Sequence, residues 1–180
     1  MPTFLRPSGP IAPRAVLTGD PGRAMMLAQE LTEGPKMTNH ARGLWGYTGL
    51  AADGEPLTVQ STGIGGPSAA AVLAELAELG LERAVRVGTC SAEPGASLGE
   101  ILVVESAHGI DGVSLAYGRE PARPHGDLLE RLRLAGRPSA IESVDLPTAP
   151  GGLAVARDLQ TAAFLHVSQA AGIASAACET

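Results

Sequence analysis

The chain has 180 residues, and its 13 Lys and Arg against 19 Asp and Glu give a formal net charge of −6 at pH 7. This length suits a single globular domain over residues 1–180, and a hydrophobic content of 44% provides a core, which argues against a disordered chain. The acidic balance argues against a general binder of nucleic acid or of a membrane surface, because either would need a basic face.

Apolar runs and periodic segments alternate along the chain and are bounded by glycine and proline. The predicted strands are residues 15–18, 47–50, 57–61, 84–87, 101–105 and 173–178. The predicted helices are residues 24–31, 69–79, 127–134 and 157–171. Ser68 is the predicted N-cap of the second helix. The helices are expected to end at Gly34-Pro35, Gly80, Gly136 and Gly172.

This alternation predicts an α/β fold with a twisted, mixed and largely parallel central sheet that is flanked by helices on both faces. Ligands of such sheets bind beyond the carboxyl ends of the strands, where the glycine turns of this chain lie. The N-terminal residues do not resemble a signal peptide, and no apolar stretch is long enough to span a bilayer, so we expect a cytoplasmic protein. The two cysteines, Cys90 and Cys178, can form one disulfide bond at most.

The first candidate anion site is the turn Gly19-Asp20-Pro21-Gly22-Arg23, between the first predicted strand and the first predicted helix. Its glycines allow a tight turn with exposed N–H groups. The helix directs its positive end at the same place, and Arg23 adds a charge. These features are typical of a phosphate-binding turn. An ordinary strand-to-helix turn with an exposed Arg is equally compatible with this spacing.

The second candidate is Arg86-Val87-Gly88-Thr89, at the end of an apolar strand. An Arg in such a strand is costly to bury unless it meets an anion, and the hydroxyl of Thr89 at the strand tip reaches the same position. The alternative is a structural ion pair between Arg86 and a carboxylate such as Glu75 or Glu105. We favour the anion-binding interpretation.

Residues 61–68 form a third candidate, because three glycines and several hydroxyls precede a helix N-terminus and can hold an anion or sugar hydroxyls. The alternative is a tight turn that passes close to a neighbouring element. Arg42 lies in a polar loop and, taken by itself, is a surface residue.

The remaining reactive side chains show weaker patterns. The histidines have no metal-ligand spacing, and His166 is expected to be packed or exposed rather than catalytic. Cys90 lies beside the second candidate without a His partner and is interpreted as a small packed residue. Asp158 and Gln160, two residues apart near the start of the last predicted helix, are expected to point to different faces unless the turn is irregular.

Three of these segments stand in the order and spacing of one known family. Gly19–Arg23, Ser61–Ser68 and Arg86–Thr89 together resemble the nucleoside phosphorylase family. The similarity continues through residues 101–115, where Asp111-Gly112-Val113-Ser114-Leu115 resembles the uridine phosphorylase branch in particular, and it reaches the last helix.

The resemblance implies an α/β sandwich assembled as a hexamer of three dimers. It also implies phosphorolysis, in which inorganic phosphate attacks C1′ of a ribonucleoside and releases a free base and ribose 1-phosphate. By this resemblance, phosphate is bound by Gly19, Arg23, Arg86 and Thr89, together with Arg42 of a neighbouring subunit. Thr89, Leu159 and Gln160 are expected at the ribose, and Arg86 and Gln160 are the expected catalytic residues. No metal or organic cofactor is implied.

The chain departs from the family on the nucleoside side. The family's Glu-Met-Glu signature, whose second Glu binds the ribose hydroxyls, is here Asp158-Leu159-Gln160, and a neutral Gln makes a weaker hydrogen bond. An N-terminal His of the family has no counterpart, and Thr3 and Phe4 are nearest to its place. The base-reading loop of the uridine branch is reduced to residues 143–148. The sequence reaches Thr180 without the acidic proton donor that purine-type members carry near their C-terminus.

The phosphate-binding motifs of the family are present, whereas its nucleoside-binding residues are altered, and two hypotheses follow from this difference. The favoured one is an active nucleoside phosphorylase of the uridine type. The alternative is a catalytically impaired relative that binds phosphate, a nucleoside or a nucleotide without turnover. A hydrolytic nucleosidase is less favoured, because hydrolysis does not need the phosphate pocket that Arg23 and Arg86 indicate.

Overall fold

The computed structural model describes residues 2–92, 97–147 and 156–180. The described residues form ten β-strands and five α-helices. The strands are β1 (Arg14–Thr18), β2 (Glu33–Asn39), β3 (Gly46–Leu50), β4 (Pro56–Ser61), β5 (Arg83–Gly88), β6 (Ser91–Ala92), β7 (Leu102–Gly109), β8 (Arg137–Ser143), β9 (Ala156–Asp158) and β10 (Ala174–Glu179). The helices are α1 (Pro21–Leu31), α2 (Gly66–Glu78), α3 (Gly112–Tyr117), α4 (Gly126–Leu132) and α5 (Thr161–Ala170).

All ten strands belong to one mixed sheet with the order β2-β3-β4-β1-β5-β10-β7-β8-β9-β6. Strands β4, β1, β5 and β10 are parallel to one another, and so are β7, β8 and β9. The two groups meet at the antiparallel pairing of β10 with β7, and β2, β3 and β4 form an antiparallel meander at one end. The predicted α/β class with a mixed, mainly parallel sheet is therefore confirmed.

Alternate residues of β1 show that helices cover both faces of the sheet. Ala15 and Leu17 are buried in the main core, which includes apolar side chains of α2 and α5. Val16 packs on the other side, against a smaller cluster that includes Ala24 and Ala28 of α1. Successive strand residues point to opposite faces, so α1 lies on one face of the sheet and the main core on the other. None of the helices formed by the described residues has the length and apolar character needed to cross a membrane.

Several predicted boundaries are wrong. The first helix ends at Leu31, and Gly34-Pro35 lies inside strand β2 instead of marking a loop. The second helix begins earlier than predicted, with Gly65 at φ 85° as its N-cap, whereas Ser68 lies within the helix and donates its hydroxyl to the carbonyl of Thr62 at 2.6 Å. Strand β8 and helix α3 were not predicted.

The last predicted helix is also too long at its N-terminus. Residues 156–158 form strand β9, which pairs with β8, and helix α5 begins at Thr161 with Gln160 as its N-cap. Asp158 and Gln160 therefore flank a strand-to-helix turn and are not successive positions of one helix. This turn has a direct consequence for the site.

Candidate functional site

A cleft of about 680 Å³ lies where the carboxyl ends of β1, β4 and β5 meet the turn between β9 and α5. Its wall comprises Gly19, Asp20, Pro21, Arg23, Gly63, Ile64, Arg86, Gly88, Thr89, Cys90, Ser91, Val144, Pro147, Arg157, Asp158, Leu159 and Gln160. The three segments predicted as candidate sites thus supply residues to a single cleft. Val144 and Pro147 of the shortened loop at residues 143–148 also line the cleft, and residue 148 lies outside the described residues.

The turn after β1 places Arg23 at the cleft. Asp20 is the N-cap of α1, where its carboxylate accepts the Arg23 N–H at 2.7 Å, and Pro21 occupies the first helical turn. Arg23 is half-buried, and no carboxylate of the described residues pairs with its guanidinium. An unpaired cation at a helix N-terminus is an arrangement that attracts an anion.

Gly19 lies where the turn after β1 approaches the turn after β4 closely, which leaves little space for a side chain. A Cβ at this position would lie 3.2 Å from the carbonyl oxygen of Gly63 and 3.5 Å from Nε2 of Gln160. Gly63 itself has a φ of 74°, a left-handed conformation that favours glycine. The turns after β1 and β4 therefore pack against each other and against Gln160, as the alternative interpretation of residues 61–68 predicts.

Arg86 is buried by the pleat of β5. Ala84, Arg86 and Gly88 point to one face and are buried, whereas the intervening valines are half-buried. The side chain of Arg86 has an exposed fraction of 5%, yet the residue lines the cleft. A Cβ at Gly88 would lie 1.9 Å from Nη1 of Arg86, so the glycine leaves space for the guanidinium.

The carboxylates that pair with Arg86 differ from the two considered in the sequence. Nη1 of Arg86 contacts Oε1 of Glu179 at the end of β10, and Nη2 lies 3.4 Å from Oδ2 of Asp158. Glu75 accepts backbone N–H groups of residues 3–5, and Glu105 pairs with Arg133 at 2.7 Å. The suggested partners are therefore wrong, although a structural ion pair of Arg86 does exist beside the cleft.

Asp158 links β9, β8 and α5. Its Oδ1 accepts the hydroxyl of Ser143 at 2.5 Å, and its Oδ2 accepts the N–H groups of Gln160 and Thr161 at 3.2 and 2.8 Å. The carboxylate, at the last residue of β9, thus caps the N-terminus of α5. Because the turn from β9 to α5 is not helical, Asp158 and Gln160 both line the cleft, contrary to the helical expectation.

Gln160, the expected ribose-binding residue, is held by the turn after β4. Its Oε1 lies 2.8 Å from the hydroxyl of Thr62, and its Nε2 donates to the carbonyl of Gly63 at 3.1 Å. The residue is buried, with 4% exposure, whereas Leu159 beside it is half-buried. The Gln160 amide therefore already makes hydrogen bonds within the protein.

Thr89 and Cys90 follow β5 at the cleft. Thr89 is exposed, so its hydroxyl is available to a ligand. Cys90 is half-buried against the main core, and burial, with the charges of Glu179 and Asp158, raises the pKa of its thiol to about 11. The thiol is therefore protonated at neutral pH, in keeping with a packed residue.

Arg42 does not line this cleft. It lies in a short 3₁₀ turn, Ala41–Gly43, with a left-handed φ of 58°, and its guanidinium carbon is 5.3 Å from the centre of the Phe4 ring. The residue is exposed, which leaves its expected role in a neighbouring subunit as a prediction. His166 is half-buried and stacks on Tyr117, with ring centres 5.9 Å apart.

Glu179 and Thr161 were not predicted as residues of the site. The hydroxyl of Thr161 lies 2.6 Å from Oδ2 of Asp158 and 2.8 Å from Oε1 of Glu179. The predicted last strand stopped at residue 178, one position before Glu179. Glu179 is a charged residue at the end of an otherwise mostly apolar strand, and a charged residue in an apolar strand is also the pattern that identified Arg86. Within the described ranges, no group of three His, Cys, Asp or Glu side chains is placed to hold a metal ion.

The chain is similar to one known protein family over most of its length. The family described as the phosphorylase superfamily matches residues 13–172. Uridine phosphorylase of Haemophilus influenzae is 37% identical over 101 residues, which are 56% of this chain and 39% of that protein. The DeoD-type purine nucleoside phosphorylase of Oceanobacillus iheyensis is 44% identical over 85 residues, which are 47% of this chain and 36% of that protein. The chain thus matches well under half the length of these curated relatives.

A solved structure extends the likeness to the whole fold. Uridine phosphorylase from Vibrio fischeri has a TM-score of 0.86 and 25% sequence identity, and the match covers 94% of this chain and 79% of that one. Relatives of both the uridine and the purine type are found, so the comparisons do not choose between the two branches. The chain belongs to the phosphorylase superfamily, as the nucleoside phosphorylase motifs of its sequence indicate.

Proposed function

We propose that this protein is a nucleoside phosphorylase, which uses inorganic phosphate to cleave a ribonucleoside into a free base and ribose 1-phosphate. One observation carries the proposal: Arg23, in the first turn of α1, and Arg86, near the end of β5, line one cleft at the carboxyl ends of β1 and β5. Two cations that converge on one cleft suit a small dianion. The relatives found are named as uridine and purine nucleoside phosphorylases, which supports the same reaction.

The phosphate is proposed to bind between the Gly19 turn, Arg23 and the hydroxyl of Thr89, with Arg86 behind it. As the base leaves, C1′ of the ribose gains positive charge, and a dianion held against that carbon stabilises the transition state. Holding phosphate and sugar together also converts a bimolecular encounter into a reaction within one complex. Arg86 is the proposed catalytic cation of this step.

The nucleoside is proposed to lie toward Leu159 and Gln160. Gln160 reaches a ribose hydroxyl only by exchanging one of its hydrogen bonds with the turn after β4, since Thr62 and Gly63 hold both ends of its amide. A uridine-type base is the favoured substrate, following the resemblance of residues 111–115. The comparisons give no support to the alternative of a relative without turnover.

The assembly is proposed to be a homo-oligomer, a hexamer built from dimers, in which Arg42 contributes to the cleft of a neighbouring subunit. The exposure of Arg42 outside its own cleft is compatible with that role. The reaction is proposed to need phosphate as co-substrate and no metal or organic cofactor. Nucleic acid and membranes are not expected as partners, and a cytoplasmic location stays a prediction.

A panel of nucleosides tests this proposal. Uridine, thymidine, inosine and adenosine are incubated with the protein, with and without inorganic phosphate, and free base and ribose 1-phosphate are quantified. We expect phosphate-dependent release of base with equimolar ribose 1-phosphate, fastest for uridine. In Arg23→Ala, loss of charge-assisted hydrogen bonds worth about 1.5–3 kcal/mol is expected to raise the phosphate KM about ten- to a hundredfold.

Arg133→Ala is the matched control, because Arg133 forms an exposed ion pair with Glu105 that lies outside the cleft. Its phosphate KM is expected to equal that of the wild-type protein. Base release that does not depend on phosphate would identify hydrolysis instead. Phosphate binding without base release from any nucleoside would identify a relative that has lost turnover.

A further inference from the structure

The ion pairs behind the cleft form a buried cluster whose charges do not balance. Arg86, Asp158 and Glu179 are each at most 5% exposed, and they bring one guanidinium together with two carboxylates. With both carboxylates ionised, the cluster carries a net charge of −1. Such a charge opposes the entry of a second anion into the adjoining cleft, because Coulomb interactions are strong where water is excluded.

The hydrogen bonds around the two carboxylates differ. Asp158 accepts from the Ser143 hydroxyl and from the backbone N–H groups of Gln160 and Thr161. Glu179 receives less support: its Oε1 contacts Arg86 and Thr161, and its Oε2 has no hydrogen-bond partner among the described residues. The single hydroxyl hydrogen of Thr161 serves Asp158 or Glu179, but never both together.

Among the described residues, the other groups beside Glu179 carry no charge at neutral pH. Its strand neighbours in the sheet are Gly88 of β5 and Leu102 of β7. The nearby thiols of Cys90 and Cys178 both have pKa values raised to about 11 by burial, so they stay protonated. Arg86 and Asp158 are thus the charged groups that act on Glu179.

These surroundings place the ionisation of Glu179 in the physiological range. Burial raises its pKa, the charge of Arg86 lowers it, and the charge of Asp158 raises it again, with a resulting pKa of about 7. An anion that arrives in the cleft adds a further negative charge nearby, which favours the protonated carboxyl.

We propose that Glu179 is a positioning residue that couples phosphate binding to the uptake of one proton. The ionised carboxylate holds Arg86 and opposes an incoming anion. The protonated carboxyl, which gains its proton from solvent without any other bond being made or broken, leaves a neutral cluster in which Arg86 attracts the phosphate. The inference rests on the proposed function in one respect, namely that phosphate occupies the cleft.

Calorimetry of inorganic phosphate binding tests the inference. Binding to wild-type protein and to Glu179→Gln is measured between pH 6 and 9, in buffers with different heats of ionisation, which gives the number of protons taken up. Glu105→Gln is the control, since it removes the same charge from an exposed ion pair outside the cleft. Because the ionisation of phosphate itself is common to all three proteins, the differences between them report on Glu179.

Above pH 7 we expect the wild-type protein and Glu105→Gln to take up as much as one proton more than Glu179→Gln. Relative to Glu179→Gln, their phosphate dissociation constant is expected to rise by up to about tenfold per pH unit. Equal proton uptake by all three proteins, with binding intact, would overturn the inference alone. Absence of phosphate binding by the wild-type protein would overturn the proposed phosphate site as well.

A second measurement does not depend on the folding of the Gln variant. Sulfate stays a dianion throughout this pH range, so any proton taken up when sulfate binds to wild-type protein belongs to the protein. We expect uptake that approaches one proton above pH 7 and that vanishes as the pH falls below the pKa of Glu179. Sulfate binding without proton uptake, or no binding of sulfate in competition with phosphate, would overturn the proposal.

Discussion

Substitution of Arg86 by Ala is expected to destabilise the fold as well as the proposed phosphate site. The change removes the only cation that pairs with Glu179 and Asp158 among the described residues, and both carboxylates stay buried. Removal of one partner of a buried ion pair costs about 3–5 kcal/mol, a large part of the roughly 5–15 kcal/mol that stabilises a typical domain. Urea unfolding of Arg86→Ala measures this loss.

The loss is expected to depend on Glu179. In the Glu179→Gln background only the carboxylate of Asp158 is left without its cation. Arg86→Ala should therefore lower the free energy of unfolding by at least about 1 kcal/mol less than in the wild-type protein. The loss should also grow with pH. Without Arg86 the pKa of Glu179 rises further above its unfolded value, because the charge of Arg86 lowers it in the wild-type protein. Stability falls with rising pH as long as the folded protein holds this proton and the unfolded chain does not. The wild-type protein loses the proton at about pH 7 but the variant keeps it to higher pH, so the difference in stability grows above about pH 7. Equal losses in the two backgrounds, within about 0.5 kcal/mol, would refute the coupling.

Two further substitutions test other contacts, each against a matched control. Gly88→Ala should lower the free energy of unfolding by about 1–3 kcal/mol or more, because the added Cβ would lie 2.2 Å from Oε2 of Glu179. Gly112→Ala is the control: its Cβ would meet no atom within 4 Å, so its urea midpoint should equal that of the wild-type protein. If both variants unfold at the same urea concentration as the wild-type protein, the packing around Arg86 is misassigned. Glu75→Gln should increase hydrogen exchange in the N-terminal segment. Burial raises the pKa of Glu75, but the hydrogen bonds from the backbone N–H groups of residues 3–5 lower it by more, so the pKa lies below its usual value. The ionised carboxylate is thus the favoured acceptor of these N–H groups, and Gln removes its charge. Unchanged protection of Leu5 relative to the exposed control Glu82→Gln would contradict this role.

The parts of the fold that were predicted correctly are those with strong local patterns. Strands β1 and β5 are short apolar runs before glycine, and helix α2 is a run of good helix formers that ends before Gly80. Strand β2 was missed because most of it is exposed and it contains Pro35. Proline is tolerated there because β2 is an edge strand that pairs only with β3 among the described residues.

The site was predictable where a residue conflicts with its local surroundings. A charged Arg86 in an apolar strand and glycines after strands are visible in the sequence, and they identified the cleft. The partners of Arg86 were not predictable, because they depend on distant pairings. The parallel register of β10 with β5 sets Glu179 beside Gly88, and the short strand β9 exists only through its pairing with β8 and β6.

A crystal of the protein soaked in phosphate and uridine shows directly whether the cleft binds both molecules. We expect phosphate in the cleft, in contact with the guanidinium of Arg23, the hydroxyl of Thr89 and the backbone of Gly19, with Arg86 behind it and the ribose toward Gln160. Phosphate bound elsewhere, or a cleft in which Arg23 and Arg86 do not share one anion, would contradict this expectation.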